Sequence, residues 1–132
     1  LRIRKNGDSC KITKKEPTGD DLSILKESTT PLTKEEYDEL TASIKGKRFR
    51  KIRYFYKEDG VTFEIDVYKD ALEGFVVVDA EFPEGIGMND LKMPAWCLAD
   101  VSQEEFVAGG YVAGRSYKDI EKELARYNYR KL

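Results

Sequence analysis

Six short stretches of this chain alternate apolar with charged or polar residues, and on five of them the charged positions carry a single sign. Successive side chains of a strand point to opposite faces, so residues two apart share a face. Arg2 and Arg4 therefore lie together, as do Lys11 and Lys15, and Lys51 and Arg53. Glu64 and Asp66 form an acidic pair, and Asp79 and Glu81 another, while Glu27 shares its face with Leu25 and Thr29. Opposite the charges lie Ile52, Tyr54 and Tyr56, then Phe63, Ile65 and Val67, then Val76, Val78 and Ala80. The chain must build a sheet with one apolar and one charged face. Like charges two apart repel, and a merely solvated face mixes its signs. A solvated outer face over a helix-backed core is one reading of such alternation. The sorting by strand, with the pairs placed mid-strand, points instead to a sheet curled around a charged lumen.

Turn and cap signals divide the sequence further. Leu1 to Lys5 and Ser9 to Glu16 read as a hairpin about Asn6-Gly7, a type I′ signal. Pro17 to Asp21 reads as a loop and Leu22 to Thr30 as a strand that Pro31-Leu32 breaks. Thr33 with Glu36 forms a capping box, and Tyr37, Leu40 and Ile44 repeat at helical spacing before Gly46. Lys47 to Tyr56, turning at Asp59-Gly60 into Val61 to Lys69, gives a second hairpin, and Phe75 to Phe82 a further strand. Pro83 to Pro94, with Gly85 and Gly87, reads as a loop. Gln103 to Ala108 reads as a short helix, with Asp100-Val-Ser102 as its cap. Ser116 with Asp119 opens a terminal amphipathic helix marked by Tyr117, Ile120, Leu124 and Tyr127. The expected class is mostly antiparallel β (α+β), with about three helices. Tyr54, Tyr56 and Tyr68 are expected beneath the helices, and Trp96 as a packing anchor.

Composition narrows the chemistry. The 132 residues suit one domain. Their 23 basic and 25 acidic residues leave a net charge of -2, which does not fit the basic footprint of a nucleic-acid coat. No apolar run is long enough to cross a membrane. Histidine is absent, which removes His-based metal sites and the usual acid/base near neutral pH. Cys10 and Cys97 read as free thiols in a reducing cytosol, and the expected localisation is cytoplasmic. Six basic groups, Arg2, Arg4, Lys11, Lys15, Lys51 and Arg53, suit a compact polyanion, because guanidinium forks clamp phosphate oxygens. The carboxylates suit a hard divalent cation, Mg²⁺ or Mn²⁺.

The segments LRIRKNG, CKITKK, KRFRKIRYFY, FEIDVY and LEGFVVVDAEFP, followed by PAWCLADVS, resemble the CYTH / triphosphate tunnel metalloenzyme family over about residues 1–115. The subgroup they resemble is the short bacterial one, similar to inorganic tripolyphosphatases. The resemblance implies an eight-stranded antiparallel β tunnel with a charged lumen and a few outer helices. It implies hydrolysis of the terminal phosphate of a triphosphate, foremost inorganic tripolyphosphate, with Mg²⁺ or Mn²⁺. Arg2, Arg4, Lys15, Lys51 and Arg53 then hold substrate, and Glu27, Glu64, Asp79 and Glu81 hold metal. Glu27, Asp66 and Lys51 are the expected catalytic groups, with a carboxylate such as Glu27 or Asp66 orienting water. Thr29 stands where the family often has a second Glu. The family's Glu-x-Glu-x-Lys belongs to a strand before Leu1, so residues 1–132 are expected to be a single, N-terminally incomplete domain that begins after it. Other activities stay open: a non-catalytic polyphosphate- or nucleotide-binding module, a class IV-type adenylate cyclase, or a thiamine triphosphatase. The expected partner is a small polyanion, with no nucleic acid and no membrane; a homodimer stays open.

Overall fold

The computed structural model describes residues 1–17, 25–45, 47–85, 90 and 92–132. The chain divides into two compact units, Leu1–Lys45 and Gly46–Leu132. Among the described residues, six strands form two antiparallel three-stranded sheets, accompanied by a few helices. No described helix is long and apolar enough to cross a membrane.

The first unit is a meander of β1 (Arg2–Asn6), β2 (Ser9–Pro17) and β3 (Leu25–Leu32), followed by α1 (Lys34–Ala42). Asn6 pairs with Ser9, so the tight turn is Gly7-Asp8 rather than Asn6-Gly7. Of these two residues only Gly7 has positive φ, at 58°. That is the pattern of a type II′ turn, which puts glycine first. The expected break at Pro31 does not occur. Pro31 pairs with Lys11 on β3, which is an edge strand of this described sheet, where a missing N–H is tolerated. The expected loop beyond Pro17 and the start of the third strand at Leu22 lie outside the described residues.

The capping box of α1 is present. Thr33 Oγ1 accepts from the Glu36 N–H at 3.1 Å, and the Glu36 carboxylate accepts from the Thr33 N–H at 2.7 Å. The helix stops at Ala42. Thr41 and Ser43 donate their hydroxyls back to the carbonyls of Tyr37 and Leu40, local bonds that compete with helix propagation. The expected stop at Gly46 lies outside the described residues. No residue of α1 is buried, so its apolar stripe is thinly covered.

The second unit carries β4 (Lys51–Glu58), β5 (Val61–Tyr68) and β6 (Val76–Glu81) in sequential order. Asp59 and Gly60 both have positive φ, at 49° and 77°, as the type I′ turn requires. β4 starts at Lys51 rather than Lys47, because the carbonyls of Arg48 and Arg50 accept from Gly114 and Lys69 instead of a ladder partner. The expected helix over 103–108 is a single 3-10 turn, Glu105–Val107, followed by the short α2 (Gly109–Val112). Asp100 does not cap that turn; its carboxylate accepts from the N–H and hydroxyl of Ser102. The helix α3 (Tyr117–Ala125) begins at Ser116 as expected, with Asp119 accepting from the Ser116 N–H at 2.7 Å.

The core of this unit joins Tyr68, Leu72, Phe75, Phe106 and Val112 to Tyr117, Ile120 and Leu124 of α3. Tyr68 thus lies in the core, as expected. Tyr54 and Tyr56 do not: they are exposed, and Tyr56 meets Trp96 edge-on. Trp96 also covers the buried Phe63, with ring centroids 5.1 Å apart, and its indole N–H donates to Glu58. Ile120 has no exposed surface. Ile120→Ala is expected to cost about 2–5 kcal/mol by cavity formation. Leu40→Ala, on the exposed face of α1, is expected to cost under about 1 kcal/mol. Urea denaturation of the two variants measures the difference.

Candidate functional site

The turn at Asp59-Gly60 sets the register that brings charges of opposite sign together. Arg53 lies opposite Asp66, and across the next ladder Glu64 lies opposite Asp79. Period-two alternation puts all four on one face with Lys51 and Glu81. Two carboxylates directly opposite repel, and the guanidinium of Arg53 reaches both. Its Nε and Nη2 donate to the two oxygens of Asp66 at 2.7 and 2.8 Å, in a fork-to-fork pair. Its Nη1 donates to Glu64, and Nη2 lies 3.6 Å from Asp79 Oδ2. Lys51 donates to Asp66 from the other side. The same ammonium stands 5.8 Å from the ring centroids of both Phe49 and Tyr68, a cation–π setting that orients it.

Asp66 is 2% exposed. Burial pushes its carboxyl up, but the hydrogen bonds from Arg53 and Lys51 outweigh burial and hold it below the usual aspartate range. Arg53 is raised in turn, first by its hydrogen bond to Asp66 and against its own burial. The cluster grades from dry to wet. Lys51 and Asp66 lie beside Tyr68, which belongs to the core, whereas the Asp79 side chain is 62% exposed and Glu81 faces solvent opposite Thr62.

Asp66 is expected from sequence to orient an attacking water, yet it is enclosed by its two cations. In this state it positions Lys51 and Arg53. Lys51 is oriented by Tyr68, which sequence reasoning took as packing, and by Phe49, to which it gave no role. The placement of Phe49 two residues before Lys51, on the same face, is the signal that marks one of them.

The remaining expected site residues share a face of the first unit. Arg2 pairs with Thr13, Arg4 with Lys11, and Lys15 with Glu27. Thr13 and Thr29 join their hydroxyls at 3.0 Å, Thr29 donates to Glu27 at 3.4 Å, and Lys15 lies 3.5 Å from the same carboxylate. Arg4 directly opposite Lys11 is a like-charge pair, which a sheet adopts at a cost. These side chains are largely exposed.

Glu64, Asp79 and Glu81 are hard oxygen donors, the chemistry that Mg²⁺ and Mn²⁺ prefer. Among the described residues no three acidic or thiol side chains converge to hold a metal ion as they stand, and Glu64 and Asp66 are engaged by Arg53. Cys10 is buried and Cys97 half-buried, both as free thiols. Burial and then Glu58 push the Cys97 thiol up, away from the activated range.

No family model matches the chain, and no curated protein matches it. The crystal structure of the hypothetical protein NE1496 is similar in fold, with a TM-score of 0.67, 23% sequence identity, and cover of 86% of this chain and 74% of that one. At that identity the likeness speaks to the fold alone.

The depressed Asp66 fixes the sign of a pH effect. A carboxylate lowered by folding stabilises fully above its unfolded value of ~3.9, and that stabilisation is lost as pH falls through the lowered folded value. The wild type is therefore expected to lose stability more steeply than Asp66→Asn as pH falls below ~4. Urea midpoints across that range measure the two slopes, and parallel slopes contradict the pairing.

Proposed function

We propose that the chain is a divalent-metal-dependent hydrolase that removes the terminal phosphate of a triphosphate compound, foremost inorganic tripolyphosphate. The observation that carries this reading is the arrangement about Arg53. Lys51 and Arg53 of β4 meet Glu64 and Asp66 of β5 on a face that Asp79 and Glu81 of β6 share, which suits a ligand that brings both negative oxygens and a counter-cation. The resemblance of the sequence supports the same reading, and its eight-stranded tunnel belongs to the proposal.

In this reading Arg2, Arg4, Lys15, Lys51 and Arg53 hold the phosphate chain. Arg53 exchanges carboxylate oxygens for phosphate oxygens of similar geometry, and Lys51 follows as a point charge. Asp66 keeps both cations aimed while they do so. Glu27, Glu64, Asp79 and Glu81 are the residues that hold Mg²⁺ or Mn²⁺. When bound, such an ion neutralises phosphate oxygens and assists departure of the leaving group. The solvent-facing carboxylates, Glu27 among them, orient the attacking water. The fixed cations stabilise charge as it develops on the transferring phosphoryl group. No side-chain nucleophile is required, in keeping with a sequence that lacks histidine.

Phosphate release from tripolyphosphate, ATP and thiamine triphosphate, each with Mg²⁺ and with Mn²⁺, tests the reading. Tripolyphosphate is expected to be turned over fastest. Arg53→Ala and Glu81→Ala are each expected to lower the rate at least ~100-fold. Near-normal turnover in both variants contradicts the assignment. Affinity without release under every condition identifies a binding module instead.

A further inference from the structure

A second basic hollow lies outside the Arg53 face. In the segment before β4, Phe49 packs on Tyr68 at 5.3 Å between ring centroids. Two backbone hydrogen bonds fasten this segment. The Lys69 N–H donates to the Arg50 carbonyl at 2.9 Å, and the Gly114 N–H donates to the Arg48 carbonyl at 3.0 Å. They bring Lys69 and Arg115 from distant parts of the chain to the rim of one hollow of about 280 Å³, whose apolar lining includes Phe49 and Leu72.

Among the described residues, Arg50, Lys69 and Arg115 share the lining of this hollow with one carboxylate, Asp70. That imbalance is not what a chain of net charge -2 leads one to expect. The arginines are also pre-aimed. Asp70 accepts from Nε and Nη2 of Arg50 at 3.0 and 2.9 Å. It does so from a left-handed backbone conformation, φ 56°, at the start of a 3-10 turn whose Leu72 is buried in the core. Arg115 stacks 4.0 Å from the Tyr111 ring centroid and donates to the Tyr111 carbonyl. Held guanidinium planes lose little freedom on binding and match phosphate oxygens in pairs.

We propose that this hollow is a second anion site, which takes a small phosphate-bearing anion of the size and charge of pyrophosphate. The inference does not depend on the hydrolysis reading, because it rests on residues that reading does not use. Isothermal titration of inorganic pyrophosphate, without divalent metal and at low salt, tests it on three proteins. Affinity is expected to fall at least about tenfold in the double variant Arg50→Gln/Arg115→Gln and to persist in Arg53→Gln. Amide shifts in the wild type provide an arm free of folding effects: saturable shifts are expected at Lys69, Asp70 and Gly114. Unchanged affinity in the double variant, loss in Arg53→Gln alone, shifts confined to β4–β6, or no binding by the wild type each overturn the site.

Discussion

The second sheet depends on one buried carboxylate. Asp66 sits where water hardly reaches, and an unpaired charge in such a place costs several kcal/mol. It is tolerable because Arg53 and Lys51 close on it from two sides and because the cation–π walls of Phe49 and Tyr68 keep Lys51 in place. The core residues that dry Asp66 are the same ones that anchor α3, so the packing of the C-terminal helix and the electrostatics of the charged face are tied together. Removing either cation leaves the buried charge with a single partner, whereas adding a competing anion offers the cations an alternative and leaves the carboxylates in need of one.

That last point links structure to the proposed chemistry. Every nitrogen of the Arg53 guanidinium already serves a carboxylate. A polyanion gains this side chain only by exchange, and the carboxylates so released are hard donors for a divalent cation. Binding of anion and binding of cation are then coupled, and the coupling is reciprocal. The sorting of signs by strand has its physical reason here. Arg53 set against Asp66 lets cations and carboxylates rest on one another across the β4–β5 ladder, and like signs along a strand offer each set as a block.

Much of this face was legible in the sequence. The two-residue turn Asp59-Gly60 fixes the pairing by counting outward, which sets Arg53 against Asp66 without any knowledge of the fold. What alternation does not encode is which part of a face is dry. Tyr68 and Val77 lie on the charged face but pack with the helices, whereas Ile52, Tyr54 and Tyr56 lie on the apolar face and are exposed. That division is made by the 3-10 turn at Asp70 and by α3, elements whose docking is a tertiary matter. The shift of the first turn to Gly7-Asp8 and the passage of β3 through Pro31 have the same origin. Local signals announce a turn or a break, and strand pairing decides its position.

Manganese titration by electron paramagnetic resonance, in buffer free of phosphate, most directly tests whether Arg53 withholds the carboxylates from cations. Replacement of Arg53 by Gln is predicted to tighten Mn²⁺ binding at least about tenfold over the wild type. The gain is predicted to vanish when Glu64→Gln is added. Equal or weaker binding by Arg53→Gln contradicts the exchange on which this reading of the site is built.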